Sequence, residues 1–206
     1  MAARERKERD RQRRKDDILK AAERIFALKG YHKAKIQDIA KEAQYGIGTV
    51  YLYFKDKNEL YFLLLEERMK LFSEIVRDKT REIKGARGKI EVFIREGLMF
   101  FEQNRDFFRI YTFEKNSIQL VVGKKASEMF MQKDHIRDVV EELMDMAQKE
   151  GVLRKDCDLS EAADIFISIT SSLTLRWSRD VSKGNQRLTD KTRFIFDTFM
   201  NGIGAK

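Results

Sequence analysis

The chain has 206 residues, 42% apolar and 37% charged, enough for one large domain or two small ones around a real core. It contains no proline, where an average chain of this length carries roughly ten, and its one cysteine, Cys157, excludes an intramolecular disulfide framework and fits a reducing cytosol. The net charge of +8 is lopsided: residues 1–60 hold 16 basic and 10 acidic side chains, the other 146 hold 26 and 24. A basic excess in the first third points to a nucleic acid, an anionic membrane, or no more than a solubilising tail.

Residues 4–15, RERKERDRQRRK, carry no apolar periodicity and read as a basic arm, disordered or a frayed helix when alone. Ile18, Leu19, Ala22, Ile25 and Phe26 then recur at helical spacing, and Lys29-Gly30 ends that helix. A short helix is predicted from Ile36 to Ala43, a seven-residue one over 47–53, and a capping box, Asp56 to Glu59, starts a long helix reaching about residue 80. Gly85 and Gly88 mark a break. Helices follow over 90–101 and 104–113, then a stripe of Met129, Ile136, Val140, Leu143 and Ala147 stopped by Gly151. A second capping box, Asp158 to Glu161, opens a helix to Trp177; Lys183-Gly184-Asn185 is a turn, and Thr189 caps a last helix containing Phe194 to Met200. The expectation is an all-α protein of about nine helices: an arm over 1–15, a three-helix domain over 16–56 and a larger bundle over 57–206.

No apolar h-region opens the chain, so a secretory signal is not expected, and the uncharged run Ile165 to Leu175 is too short to span a bilayer. A cytoplasmic protein without stable membrane insertion follows. His32 and His135 are too few and too distant for a metal site, and Cys157 lies beside acids rather than in an electropositive nook. With neither a nucleophile–base constellation nor a phosphate-cradling glycine loop, an enzyme is not expected, and no cofactor is implied.

The most informative stretch is YGIGTVYLYF, residues 45–54. Two glycines and β-branched residues make a weak helix, yet helix 36–43, a turn and helix 47–53 have helix-turn-helix spacing. Ala40 is small where two helices approach, and Val50 points into the core. Gly48 removes a side chain where a DNA backbone would press close. Thr49, Tyr51 and Tyr53 offer hydroxyls to phosphates, and Ile47 suits a thymine methyl. The bland alternative is a buried hairpin with aromatic filler.

Residues 16–60 resemble the DNA-binding domain of TetR-family transcriptional regulators. The resemblance is carried by ILKAAERIFALKGY at 18–31, IQDIAKEA at 36–43 and GTVYLYFKDKNEL at 48–60, with their order and spacing. It implies a homodimer reading a near-palindromic duplex operator, and a C-terminal helical domain whose small ligand weakens DNA binding, so a repressor. By position, Tyr51 and Lys57 would hold phosphates; Ile47, Thr49 and Tyr53 would face bases or the adjoining backbone; Gln37 would read a base edge or a phosphate. Two departures stand out. Gln44 occupies a turn where glycine is usual, and Ala34-Lys35 replaces the usual Thr or Ser cap, freeing Lys35 for a phosphate.

The helix ending at Trp177 and the last helix are apolar on several sides, which fits a four-helix dimer interface through Phe166, Ile169, Leu173, Trp177, Phe196 and Phe199; the alternative is the centre of a monomer, and the family resemblance favours the dimer. Phe93, Phe100, Phe101, Phe108, Met129 and Phe130, with Arg105 and Arg109, have the chemistry of a pocket for a lipophilic anion, and also that of an ordinary core. GYH at 30–32 and YLYFK at 51–55 are shared with fatty-acid-degradation regulators of the family, which leans toward a fatty acid or acyl-CoA effector. A multidrug-type sensor of efflux, or a helical interaction or membrane-surface protein without DNA, are the alternatives.

Overall fold

The structure, a computed structural model, describes residues 2–111, 135–179 and 187–203. Among these residues it holds nine α-helices: α1 (Ala2–Lys33), α2 (Ile36–Glu42), α3 (Ile47–Tyr53), α4 (Lys57–Thr80), α5 (Ala86–Gln103), α6 (105–111), α7 (His135–Lys149), α8 (Leu159–Arg179) and α9 (Thr192–Ile203). A 3-10 turn, η1 (Leu188–Lys191), precedes α9. The all-α expectation holds. The helix ends are where the glycines and capping residues place them. Gly30 breaks α1 with φ of 73°, Gly85 and Gly151 also take positive φ, and Asp56 and Asp158 accept from the backbone N–H groups of Glu59 and Glu161, both at 2.9 Å. Thr189 sits inside η1 rather than at the start of α9; its N–H donates to Glu102 at 3.2 Å. The turn expected at 183–185 lies outside the described residues.

The chain divides into two compact units, each with its own core. The first contains residues 2–67 and 109–111, the second 68–108, 135–179 and 187–203. The continuous helix α4 contributes to both. In the first unit, the apolar stripe of α1 (Ile18, Leu19, Ala22, Ile25, Phe26) is buried against Ile36, Ile39 and Ala40 of α2, Val50 of α3, and Leu60, Tyr61 and Leu64 of α4. Tyr61 meets Phe26 and Tyr31 edge-on, at 5.5 and 5.2 Å between ring centres. At roughly 1.5–3 kcal/mol per large buried side chain, this layer supplies the stability that the short α2 and α3 lack by themselves.

Residues 4–15 are helical and continue α1 without interruption, the helical of the two forms expected for the basic arm, which is here an extension of α1.

In the second unit α5 packs against α7, α8, α9 and η1. Phe rings run through its core: Phe72 stacks on Phe100 at 5.0 Å, Phe101 meets Phe108 at 4.7 Å, and Phe166 lies between Phe93 at 5.2 Å and Phe199 at 5.0 Å. Gly97 suits this packing, since a Cβ there would sit a tight 3.2 Å from the Phe72 ring.

Candidate nucleic-acid interface

The helix-turn-helix is held from behind by polar links as well as by its core. Arg24 reaches Glu42 at 2.7 Å, Lys29 reaches Asp38 at 2.9 Å, and the Tyr45 hydroxyl donates to Asp17 at 2.9 Å. The first two tie α2 to α1; the third ties the turn to α1. Hydrogen bonding to Asp17 raises the Tyr45 pKa and keeps the phenol neutral. Asp38 is held below its usual pKa, chiefly by Lys29. Its carboxylate accepts the Lys35 N–H at 3.2 Å, one half of a capping box. The other half is missing because an ammonium cannot accept a hydrogen bond.

The turn is a Schellman motif. The Tyr45 N–H reaches the Ala40 carbonyl at 3.0 Å and the Gln44 N–H reaches Lys41 at 3.1 Å. Gln44 takes the left-handed conformation with φ of 59°. Gly151 performs the same task after α7, where Val152 bonds to Ala147 and Gly151 to Gln148, with φ of 71°.

Helix α3 turns little of itself inward. Val50 is fully buried, as is Phe54 just beyond the helix end, while Thr49 and Tyr53 are half-buried. Ile47, Tyr51 and Leu52 are 43, 53 and 79% exposed. Gly48 is exposed too, and a Cβ added there would meet nothing within 4 Å. Nothing inside the described residues therefore demands glycine at 48, although it costs the helix about 1 kcal/mol relative to alanine. An apolar, aromatic face with a gap in it, presented outward, has the character of a recognition surface. Lys35 and Gln37 are exposed at the start of α2. Leu52, Lys33 and Lys55 are exposed as well; sequence reasoning passed over them because leucine reads as core and lone lysines carry no pattern.

The Lys57 ammonium is engaged within the domain in the DNA-free chain. It donates to the carbonyls of Tyr31 at 2.8 Å, Ala34 at 3.0 Å and His32 at 3.5 Å, and lies 4.3 Å from the centre of the Tyr31 ring. An ammonium has three protons, so this arrangement spends them inside the domain. The physical reason is the end of α1: the break at Gly30 leaves carbonyls without helical partners, and a cation satisfies them. The Tyr31 hydroxyl donates to Asn58, and burial is the main cause of its raised pKa.

In the second unit, the expected pocket residues Phe93, Phe100, Phe101 and Phe108 are buried against one another or their neighbours. Arg105 donates to the Ser178 carbonyl at 2.9 Å and stacks 4.8 Å from the Trp177 ring, while Arg109 is exposed and belongs to the first unit. Met129 and Phe130 lie outside the described residues. Of the expected interface residues, Phe166, Phe196 and Phe199 are buried within the single chain and cannot also face a second copy. Ile169, Leu173 and Trp177 remain half-exposed, joined by Ile165 and by Phe194, which is 59% exposed.

An outward-facing second helix, braced by a first helix and fed by a basic flank, defines a helix-turn-helix DNA-binding protein. Residues 18–64 match the sequence model of the bacterial regulatory proteins of the tetR family. The chain is 22% identical over 189 residues to the fatty acid metabolism regulator protein of Bacillus subtilis, covering 92% of this chain and 95% of that one. Its fold is similar to the fatty acid degradation regulator FadR of Bacillus halodurans, with a TM-score of 0.83 at 20% identity over 92% of this chain and 95% of that one. It is also similar to FadR of Bacillus subtilis in complex with stearoyl-CoA, with a TM-score of 0.81 at 20% identity over 91% and 98%. Residues 18–64 are thus a DNA-binding domain of the tetR family, in a chain similar over most of its length to bacterial regulators.

Proposed function

We propose that the protein is a ligand-responsive repressor that binds a near-palindromic operator as a homodimer and is released by a lipophilic anion of the fatty acid or acyl-CoA class. The outward face of α3 is the observation that carries the DNA half of this reading: Ile47, Gly48, Tyr51 and Leu52 are left open while Val50 and Phe54 anchor the helix. Side chains at the helix N-terminus, Ile47 and Thr49, read base edges, and Tyr51 with Lys35 positions the protein on phosphates. Dimerisation uses the exposed side of α8 and α9, through Ile165, Ile169, Leu173 and Phe194.

Two supports favour the lipid class of effector. The second unit is built around phenylalanines, the material of an apolar pocket, and the fatty acid metabolism regulator and the stearoyl-CoA complex are among the similar proteins. The experiment is a titration of the protein into a duplex from upstream of its own gene, against scrambled DNA, followed by addition of stearoyl-CoA. Sequence-selective binding reversed by the thioester is the expected result. Reversal by lipophilic cations and not by the thioester would make it a multidrug-type sensor. Binding to anionic vesicles without sequence-selective DNA binding would overturn the regulator.

A further inference from the structure

The helical extension of α1 creates a feature that the helix-turn-helix alone does not have. Arg4, Lys7, Arg11 and Arg14 follow one another at three- and four-residue intervals, so they lie on one face of the helix. Together with Thr49, Leu52 and Tyr53 of α3 they line a groove of about 810 Å³. One wall is cationic, and the other is the side of α3 that carries Thr49, Leu52 and Tyr53. Arg6, Glu8 and Asp10 also border the groove, and Asp10 lies 3.9 Å from Arg13. The four cations of the stripe are exposed, and none is in an ion pair among the described residues.

The occupant can be argued from dimensions. A helix with its side chains is about 10–12 Å across, while the minor groove of DNA is about 6 Å wide, so a helical extension cannot thread it as an unfolded arm does. The stripe from residue 4 to 14 spans about 15 Å. One strand of a duplex presents a phosphate about every 3.4 Å of axis, so that length meets roughly four.

We propose that the groove between the α1 extension and α3 seats one sugar-phosphate strand bordering the half-site, with Arg4, Lys7, Arg11 and Arg14 on its phosphates. This rests on the DNA-binding reading above and extends it. The stripe supplies affinity and salt dependence and carries no sequence preference, because phosphates are the same at every base pair.

The test replaces all four by glutamine (Arg4→Gln, Lys7→Gln, Arg11→Gln, Arg14→Gln) in the full chain, with circular dichroism to confirm retained helix. Binding is measured on a duplex selected from a random library by the unaltered protein and on a random-sequence duplex. The slope of log K against log salt is expected to become shallower by about 3.6 per subunit, which is roughly a hundredfold less affinity lost between 50 and 200 mM salt. Both duplexes should change alike. An unchanged slope overturns the proposal, and so does a change confined to the selected duplex, which would mean base reading. Loss of binding to phosphatidylserine vesicles with an unchanged DNA slope would assign the stripe to lipid instead. If the unaltered protein selects no sequence at all, the regulator reading fails on its own, while the slope on random DNA still decides the stripe. Thr49→Ala is the converse control, shifting sequence preference and leaving the slope in place.

Discussion

Replacing Gln44 by glycine isolates the energy of one backbone conformation. Gln44 is exposed, its φ is 59°, and its side chain makes no hydrogen bond among the described residues. Its N–H bond to Lys41 comes from the backbone and survives any non-proline substitution. The left-handed conformation costs a residue with a Cβ about 1–2 kcal/mol, and glycine removes that cost. Glycine also gives the unfolded chain more freedom, which takes back about 0.4–1 kcal/mol. The net gain for Gln44→Gly is about 0.5–1 kcal/mol, or roughly 1–4 °C in Tm for a chain of this size. Calorimetry on the two proteins measures it. The chain contains its own reciprocal experiment, because Gly151 fills the same position of the same motif with φ of 71° and open space around it. Gly151→Gln should lower stability by a similar amount. A fall in Tm for Gln44→Gly would refute the reasoning, showing that the glutamine side chain stabilises the turn by more than its backbone strain costs.

Four further outcomes are expected. Gly48→Ala should raise stability by about 0.5–1 kcal/mol while weakening binding to operator DNA; a weaker fold, or unchanged DNA affinity, would remove the reason given for that glycine. Lys57→Ala should destabilise the DNA-free protein by roughly 1–2 kcal/mol, as loss of a charged donor to part-buried carbonyls does, and a stability equal to the parent's would leave Lys57 free for the phosphates. Phe199→Ala should cost about 3–5 kcal/mol as a core truncation, whereas Phe194→Ser should leave unfolding nearly unchanged and raise the dimer dissociation constant, read by analytical ultracentrifugation. Glu142 accepts two hydrogen bonds from Arg77, at 2.8 and 3.1 Å, and that contact holds its pKa below the usual carboxylate value. Its stabilisation is therefore present above the unfolded pKa and lost as pH falls through the folded one. Because both partners are more than a third exposed, Glu142→Gln should cost less than about 1 kcal/mol at neutral pH, and that difference should vanish in acid.

The elements that were legible in the sequence are those with a local cause. Gly30 and Gly151 end helices because each takes positive φ, Asp56 and Asp158 cap because their carboxylates reach an N–H three residues on, and Val50 is buried because it sits on the inward side of a seven-residue helix. Three features were not legible for lack of such a cause. The extension over 4–15 is polar all round, so no apolar period announces it as helix. Lys57 finds its carbonyl partners 23 to 26 residues away, a distance that a motif with a phosphate role conceals. In α8 and α9, apolar residues on several sides do not show which side meets α5 and which meets another copy; Phe166, Phe196 and Phe199 proved to be the inner side.

The open face of α3 has a colloidal consequence. Ile47, Tyr51 and Leu52 leave oily surface uncovered on a chain of net charge +8. In dilute buffer, mutual repulsion keeps such surfaces apart. The screening length falls from about 10 Å at 0.1 M salt to about 3 Å at 1 M, and that barrier thins with it. The salt that strips the protein from DNA is therefore the salt in which the free protein most readily sticks to itself. In the proposed complex the duplex would cover these residues, so DNA would act as solvent shield as well as target, and the protein would be best stored with DNA or with little salt.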